Sequence, residues 1–335
     1  MTENLFAHDV AHVGHAELLT PEPEQSLRFF VDMLGMEVEA SEGKSVYLRG
    51  FGDYERYSLK LTEAPAAGLG HLALRSSSEE ALQRRVASLE RSGQGLGWID
   101  GDLGHGAAYR FTDPDGHLFE IYHETERYVA PDVLKPALKN QPQRYGGRGV
   151  SVRRLDHINL LTRDVATNRH FLGEHLGFHL REKVQLDDGR EGGAWMSLGL
   201  LAHEVIYVLE AYPTRGRLHH LAFCVDSREE VLRSADIFLD HRVNMEASPS
   251  KHTAAQSFYC YAIEPGGNRI EVTTGGYLVF DPDRPPTVWS EAEYARGPAW
   301  GAKLPASFNT YGTPLFDGTP LDAPLQGAER AGVGR

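Results

Sequence analysis

The chain of 335 residues is short of three things, and each shortage excludes a class of protein. Two cysteines, Cys224 and Cys260, are too few for a disulfide framework and indicate a reducing cytoplasm. Acidic residues outnumber basic ones by 47 to 34, and the net charge of −13 disfavours nucleic acid and anionic membranes as partners. No run reaches the roughly 18 apolar residues of a membrane span, and the start MTENLFAHDV lacks the pattern of a signal peptide. We therefore expect a cytoplasmic protein that acts on small molecules.

What the chain does have is 16 histidines and an internal repeat. Residues 12–35 match residues 154–177 at an offset of 142, which pairs His15 with His157 and Gly35 with Gly177. Further on, GHLALR at 70–75 matches HHLAFC at 219–224, and DPDGHLFE at 113–120 matches EPGGNRIE at 264–271. The offset drifts to 149 and then 151 across these matches, as small loop insertions would produce.

Each copy reads as a strand, an amphipathic helix and then further strands, which predicts an α+β fold. Gly35 and Gly177 stand where helix C-caps belong. The segments FYCYAI and RIEVTT flank EPGG, which predicts a hairpin in which Tyr261 and Glu271 are near-opposite neighbours on one face. The helix of the first copy carries its apolar stripe on Leu27, Phe30, Val31 and Leu34.

Composition shifts divide the chain into five segments. A stretch with three prolines and GGRG separates the copies, and Trp289 and Trp300 indicate that the segment after the second copy packs on the body. The predicted segments are an N-terminal module at 8–128, a linker at 129–152, a C-terminal module with the metal site at 153–278, a packed extension at 279–317 and a disordered tail at 318–335.

The second copy places three residues of metal-ligand type at matching points of the repeat: His157, His220 and Glu271. Two imidazoles and one carboxylate leave open positions on an octahedral ion, which suits an iron(II) that must bind both a substrate and O₂. Taken singly, a histidine in a strand is more often a hydrogen-bonded structural residue, and a glutamate at a strand end is more often solvated. The combination of the three favours a metal site.

The order His252, Tyr261, EPGG and Glu271 resembles the extradiol ring-cleavage signature of the vicinal oxygen chelate superfamily. The resemblance is to its type I extradiol catechol dioxygenases, and YLVFDPDRPPTVW at 277–289 is most similar to the branch of catechol and homoprotocatechuate 2,3-dioxygenases. Cys260 departs from the usual aliphatic residue or Phe before the tyrosine. This resemblance implies tandem βαβββ modules that form incomplete β-barrels.

The resemblance also implies a role for each residue of the site. His157, His220 and Glu271 would bind Fe(II), with Mn(II) as an alternative that the same ligands suit. His219 competes with His220 as a ligand, but His220 precedes Leu-Ala as His71 does in the first copy. The acid/base residue would be His203, the hydrogen-bond partners of the substrate oxygens would be His252 and Tyr261, and further substrate contacts would come from Asn159, Trp195 and Arg296.

The first copy retains the triad as His15, His71 and Glu120. In the alignment Arg110 replaces Tyr261, Arg56 replaces His203, and no histidine matches His252. Arginine cannot accept a proton, and two cations beside the triad would disfavour a divalent ion. We therefore predict that the first copy is a non-catalytic, structural module.

The implied activity is O₂-dependent extradiol cleavage of a catechol to a 2-hydroxymuconic semialdehyde-type product, by a homotetramer that serves aromatic hydrocarbon catabolism. The positions that would clamp a substrate carboxylate are Ala247, Arg296 and Gly297, so one cation remains and a neutral catechol, alkylcatechol or chlorocatechol is favoured. The alternatives are a homoprotocatechuate 2,3-dioxygenase, a glyoxalase- or epimerase-like enzyme with Zn, Ni or Co, and a metal-free binding module.

Overall fold

The computed structural model describes residues 8–212, 214–281 and 283–315. Within these residues the first copy of the repeat forms one mixed sheet of eight strands, in the order β2-β3-β4-β1-β5-β8-β7-β6. Two helices accompany them, α1 (Pro23–Arg28) and α2 (Glu79–Ser92). The strands are β1 (Val10–Thr20), β2 (Glu37–Glu42), β3 (Ser45–Arg49), β4 (Leu59–Glu63), β5 (Gly68–Ser76), β6 (Gly95–Ile99), β7 (Ala108–Thr112) and β8 (Leu118–Tyr122).

The second copy builds a nine-stranded sheet from the described residues, in the order β14-β15-β16-β13-β9-β12-β11-β10-β17. Its helices are α3 (Val165–Leu176) and α4 (Arg228–Asp240), followed late in the chain by the short α5 (Glu291–Tyr294) and α6 (Ser307–Thr310). The strands are β9 (Arg154–Thr162), β10 (His179–Gln185), β11 (Glu191–Ser197), β12 (Val205–Leu209), β13 (Arg217–Cys224), β14 (Asn244–Lys251), β15 (Phe258–Ile263), β16 (Arg269–Thr273) and β17 (Thr287–Ser290).

Each copy contains two βαβββ units, whereas the sequence predicted one unit per copy. In the first copy the units are β1-α1-β2-β3-β4 and β5-α2-β6-β7-β8, and they join through the antiparallel pair β1/β5. The last strand of each unit returns parallel to its first, as in β1/β4 and β5/β8, so the sheets are mixed rather than antiparallel throughout. The α+β class with open, barrel-like sheets is confirmed.

One apolar core runs through both copies. Phe29 stacks on Phe238 of the second copy with ring centroids 5.6 Å apart, and Phe30 meets Phe223 edge-on at 6.0 Å. The predicted amphipathic helix is α1 followed by a π turn at Phe29–Met33, which lets these two consecutive phenylalanines both be buried. The rest of the predicted stripe packs on the same core.

The segment between the copies is partly a core element. Val150 and Val152 are fully buried, and their backbone N–H groups donate to Met33 and Leu34 of the first copy. Gly177 ends α3 in the left-handed conformation (φ 79°), as predicted for a C-cap. Within the part of the chain that the structure describes, no helix is both long and apolar enough to span a bilayer.

The segment after the second copy returns to its sheet. β17 pairs parallel with β10 at the sheet edge, and Trp289 donates from Nε1 to Glu182, 2.6 Å away. Phe308 of α6 is buried against Tyr259 and Tyr261. The tail predicted to be disordered, 318–335, lies outside the described residues.

Candidate metal centre

Three neighbouring strands carry His157, His220 and Glu271 to one point. In the sheet Ala222 is the direct partner of His157 on β9 and of Glu271 on β16, and His220 lies two residues before Ala222 on β13. Residues two apart on a strand project to the same face. The pairing of Tyr261 with Glu271 across the hairpin, which the sequence predicted, is confirmed and places Tyr261 beside the same point.

The three donor atoms form a nearly equilateral triangle. His157 Nε2, His220 Nε2 and Glu271 Oε2 are each 3.1 Å from the other two. Two ligands at right angles on an ion with bonds of roughly 2.0–2.2 Å lie about 2.8–3.1 Å apart. Among the described residues, neither buried oxygen of Glu271 has a hydrogen-bond partner of good geometry. The triangle therefore fits one face of an octahedral metal ion.

The charges at this point also fit a cation. Burial alone would lower the pKa of His157, but the carboxylates of Glu271 and Asp156 outweigh it and raise that pKa to about 9. Burial lowers the pKa of His220 to about 4. Burial opposes ionisation of Glu271, yet the charge on His157 holds the pKa of that carboxyl well below its ordinary value. The charged carboxylate of Glu271 and the charged ring of His157 thus meet at the point where a divalent ion would bind.

Asp156 orients the ring of His157 from behind. Its Oδ1 lies 2.9 Å from His157 Nδ1, and its Oδ2 lies 2.7 Å from Arg154. A carboxylate that accepts the second N–H of a ligating histidine fixes the tautomer and leaves Nε2 to bind a metal. Asp156, His157 and His203 also form a group of metal-ligand type. Arg154 and His157 already pair with the Asp156 carboxylate. We therefore place the metal ion at Nε2 of His157, with His220 and Glu271, and not at Nδ1.

His203 lies on the loop between β11 and β12, against the back of His157. Its Nε2 is 3.2 Å from His157 Nδ1, and the two ring centroids are 4.2 Å apart. Burial, and then the positive charge of His157, hold the pKa of His203 well below its ordinary value. His203 Nδ1 is buried without a hydrogen-bond partner in the described structure. His203 also lines the cavity in front of the triad, so its unpartnered nitrogen is placed to exchange a proton with a ligand there.

His252 and Tyr261 lie on the other side of the triad. His252 Nε2 is 2.9 Å from the Tyr261 hydroxyl and 3.5 Å from Glu271 Oε1, and its ring stacks on Tyr259 at 3.8 Å. Burial, reinforced by the negative charge of Glu271, raises the pKa of Tyr261 well above its ordinary value. Tyr261 therefore stays protonated and can donate a hydrogen bond to a ligand oxygen.

A cavity of about 290 Å³ opens in front of the triad, and every residue assigned to the site from sequence lines it. This volume is near the lower end of the ~300–1,000 Å³ typical of small-molecule pockets. The part of the wall that sequence reasoning missed comes largely from the C-terminal segment: Tyr294, Lys303, Leu304, Phe308 and Asn309. No spacing motif links these residues to the triad; the aromatic and basic content of the segment is the one signal that points to them.

The structure also bears on two choices made from sequence, that of His220 over His219 as ligand and that of a nearly neutral cavity. His219 is turned away from the triangle of donor atoms, and its Nε2 lies 2.7 Å from the backbone oxygen of Phe308. Ala247 packs with Tyr259, Tyr261 and Phe308, whereas Arg296 and Gly297 line the cavity. Lys303 adds a second cation to the wall, so the cavity is less neutral than the sequence implied.

The strand register corrects the predicted counterparts in the first copy. Leu59 pairs with Ala16 as Val205 pairs with Ile158, so the residue at the position of His203 is Tyr57 and not Arg56. Tyr57 Oη lies 3.2 Å from His15 Nε2. The prediction was wrong by one residue because the two preceding loops differ in length.

The prediction that the first copy has no histidine equivalent to His252 is also wrong. His105 lies on the loop between β6 and β7, which is equivalent to the loop that carries His252 between β14 and β15. Its Nε2 is 3.6 Å from Glu120 Oε1, close to the 3.5 Å between His252 and Glu271. His105 precedes Arg110 by five residues whereas His252 precedes Tyr261 by nine, so linear alignment could not pair them.

Fold and site together define a tandem βαβββ protein with a candidate mononuclear metal centre in its second copy. Comparison with known proteins agrees: the chain belongs to the Glyoxalase/Bleomycin resistance protein/Dioxygenase superfamily, whose model matches residues 12–121 and 154–272.

The relatives are similar over nearly their whole length. The chain is 45% identical to a metapyrocatechase of Geobacillus stearothermophilus, over 92% of this chain and 94% of that protein. It is 35% identical to a manganese-dependent 2,3-dihydroxybiphenyl 1,2-dioxygenase of Geobacillus genomosp. 3, over 94% and 98%. A solved variant of homoprotocatechuate 2,3-dioxygenase from Brevibacterium fuscum superimposes with a TM-score of 0.82 at 30% identity, over 93% of this chain and 84% of that one.

Proposed function

We propose that this protein is an extradiol catechol dioxygenase that uses O₂ and a mononuclear Fe(II) to open the ring of a catechol. The observation that carries the proposal is the donor triangle of His157, His220 and Glu271, which faces a cavity large enough for one substituted ring. Three protein ligands leave room on the ion for a substrate and a gas molecule. Relatives named for catechol and dihydroxybiphenyl cleavage support the same activity.

An iron held by His157, His220 and Glu271 would supply the Lewis acidity that eases loss of a phenolic proton, and would pass electrons from the catechol to O₂. We assign proton transfer to His203, because it lines the cavity and its Nδ1 has no hydrogen-bond partner among the described residues. His252 and Tyr261 hold the substrate oxygens by hydrogen bonds, and Trp195 and Asn159 bound the ring. Phe308 and Leu304 give the cavity apolar wall, which would limit the water near the reacting atoms.

We favour a neutral catechol, alkylcatechol or chlorocatechol as the substrate. Much of the cavity wall is apolar, including Trp195, Ile206, Val208 and Leu304. Arg296 and Lys303 also line it, and this observation favours homoprotocatechuate, which carries a carboxylate, as the second candidate.

The proposal extends to the metal, the assembly and the location. Iron is proposed over manganese, although the relatives include a manganese-dependent enzyme. We propose a homotetramer; association of copies is supported by neighbouring exposed apolar side chains, since Leu200, Leu278 and Phe280 are 55%, 49% and 75% exposed. A cytoplasmic location is consistent with two buried, unpaired cysteines. Light scattering coupled to gel filtration measures the assembly directly.

The test is ring cleavage by protein purified without oxygen, supplied with Fe(II) and then mixed with catechol in air. We expect a yellow ring-opened product and one O₂ consumed per catechol, with homoprotocatechuate, alkylcatechols and chlorocatechols ranking the substrates. The Glu271→Gln variant is the control and should be inactive. An inactive wild type that retains metal at the triad, with iron and with manganese, would refute the proposal and favour a glyoxalase- or epimerase-like activity.

A further inference from the structure

We propose that the first copy holds a second metal ion, a structural zinc bound by His15, His71, His105 and Glu120. The four residues come from three strands and one loop: β1, β5, β8 and the segment between β6 and β7. Their side chains are 1–2% exposed. The proposal is independent of the ring-cleavage activity, because all four residues lie in the first copy and none belongs to the triad of the second copy.

Three of the four residues, His15, His105 and Glu120, form a group of metal-ligand type, and His71 approaches the same carboxylate oxygen. Glu120 Oε1 lies 3.4 Å from His15 Nε2, 3.4 Å from His71 Nε2 and 3.6 Å from His105 Nε2, and the first two nitrogens are 3.0 Å apart. Zinc bonds of about 2.0–2.2 Å in a tetrahedron place its ligands roughly 3.3–3.6 Å apart. Three of the separations fall in this range, in contrast with the uniform 3.1 Å of the second copy.

His105 supplies the observation that a purely hydrogen-bonded cluster does not explain. Its Nε2 is buried, points at Glu120 and has no hydrogen-bond partner within the described residues. In the second copy the equivalent atom, His252 Nε2, is matched by the Tyr261 hydroxyl at 2.9 Å. The first copy has Arg110 in place of that tyrosine, so His105 is left with an unused nitrogen beside a carboxylate. Such an atom is costly unless something binds it.

The surrounding groups prepare these histidines for a metal. Glu17 Oε2 lies 3.0 Å from His71 Nδ1, and the backbone oxygen of Gly106 lies 2.9 Å from His105 Nδ1. Each acceptor takes the Nδ1 proton and leaves Nε2 as the ligand atom, which is the usual arrangement behind zinc-binding histidines. Glu17 is itself held by the Thr62 hydroxyl at 2.6 Å.

The loop that carries His105 is held in place. Gly101 and Gly104 adopt positive φ angles of 100° and 75°, and a Cβ at Gly101 would lie 2.4 Å from the backbone oxygen of Gly106. Asp102 accepts hydrogen bonds from Tyr47 at 2.7 Å and from Lys60 at 2.5 Å. The position of His105 is therefore determined by its loop.

Neither arginine occupies the centre. Arg56 pairs with Glu39 at 2.8 Å and with Glu126 at 2.9 Å. Arg110 Nε lies 3.3 Å from Oε2 of Glu120, the oxygen that does not face the histidines. Arg56 is thus paired away from the triad, whereas Arg110 pairs with Oε2 of Glu120 and leaves Oε1 facing the histidines as a single-oxygen ligand.

Four protein ligands on one zinc ion would leave no position for a substrate, so we assign the site a structural role. Aromatic rings close the remaining space: Tyr57 lies 4.6 Å from His15, and Tyr122 lies 4.6 Å from His105, measured between ring centroids. The ion would link His105 of the β6–β7 loop to His15, His71 and Glu120 of the sheet. Its loss should therefore lower the melting temperature of the protein and leave ring cleavage intact.

The first test uses the full-length wild-type protein. After a chelator wash and incubation with Zn(II), we expect zinc by elemental analysis and an anomalous scattering peak at the zinc edge among the four side chains. The Glu271→Gln variant serves as a second host, because zinc retained there cannot depend on the other triad. The absence of a zinc peak at this centre, in crystals soaked with Zn(II), would overturn the proposal.

The second test removes one donor. His105→Phe should lose one zinc per chain and should no longer gain thermal stability from added Zn(II), while His123→Gln, a nearby histidine outside the cluster, should keep both. Tetrahedral Co(II) absorption in the visible region, present in wild type and absent from His105→Phe, reports the same site. If His105→Phe bound as much zinc as His123→Gln, the assignment of His105 would be wrong even in a folded variant.

Discussion

The two copies of the repeat carry the same triad on the same strands, and they surround it differently. In the second copy His203, His252 and Tyr261 stand around the triad and a cavity opens in front of it. In the first copy Tyr57 replaces His203, Arg110 replaces Tyr261, and His105 turns its unused nitrogen toward Glu120. The two copies thus share the two histidines and the glutamate. They differ in whether a further histidine, His105, turns toward the glutamate and closes the site.

The supporting carboxylates also exchange places. In the second copy Asp156 accepts from His157, and the first copy has Gly14 at that position, where a Cβ would lie 2.1 Å from the Tyr122 hydroxyl. In the first copy Glu17 accepts from His71, and the second copy has the cavity-lining Asn159 there. Asp156 supports the ligand on the first strand of its copy, whereas Glu17 supports the ligand on the fifth strand, so the two copies orient non-equivalent histidines.

The largest contrast is expected from the two triad glutamates. Glu271→Gln removes the charged corner of the octahedral face, so we expect loss of bound iron and of measurable ring cleavage. Glu120→Gln changes the same corner in the first copy and should retain turnover per bound iron. O₂ uptake and elemental analysis on both variants measure this. Equal losses of turnover in the two variants, with both folded, would abolish the distinction between the copies.

The next contrast compares His203 with its counterpart Tyr57. His203→Ala removes the proton acceptor and leaves the three ligands, so we expect iron to stay bound and turnover to fall by about 10²–10⁴-fold. Tyr57→Phe, at the same position of the first copy, should leave turnover unchanged. Single-turnover kinetics with catechol and an iron assay distinguish the two effects. A His203→Ala enzyme with wild-type turnover would remove His203 from the mechanism.

Features that depend on local sequence patterns could be predicted. Contacts between segments far apart in the chain could not. The hairpin around EPGG is short, so its register and the Tyr261–Glu271 pair could be predicted from turn symmetry alone. His105 could not be paired with His252, because the two loops differ by four residues and loop length is weakly constrained. Lys303 and Phe308 line the cavity although they lie 32 and 37 residues beyond Glu271 in the chain.

The two units within each copy were missed for a related reason. His15 and His71 occupy equivalent strands of consecutive units, yet the sequences around them have diverged until the ligand histidine is the main feature they share. The pattern of the second helix was available in SEEALQRRVASLERSG, where Ser78 caps α2 by accepting from the Ala81 N–H at 3.1 Å. Helix signals of this strength could have divided each copy correctly.

A smaller contrast is expected from the supporting carboxylates. Asp156→Asn should weaken iron binding or lower activity by roughly 10–100-fold, because it disturbs the tautomer of His157. Glu17→Gln should instead weaken zinc retention in the first copy and leave ring cleavage unchanged. Metal titrations of both variants, with turnover measured at saturating iron, give the comparison. If Glu17→Gln lowered turnover as strongly as Asp156→Asn, the two copies would not be tuned independently.

The smallest effect is expected at the rim of the cavity, where the C-terminal segment gives the second copy two cations. Arg296 is largely exposed, and an exposed charge pair contributes about 0.2–1 kcal/mol, so Arg296→Ala should raise the KM for homoprotocatechuate by about five-fold or less. The KM for catechol should not change, because that substrate has no carboxylate to pair. Lys303→Ala is the matched variant at the same wall. If both variants raised the KM for catechol and for homoprotocatechuate equally, the segment would act by closing the cavity and not by binding the substrate carboxylate.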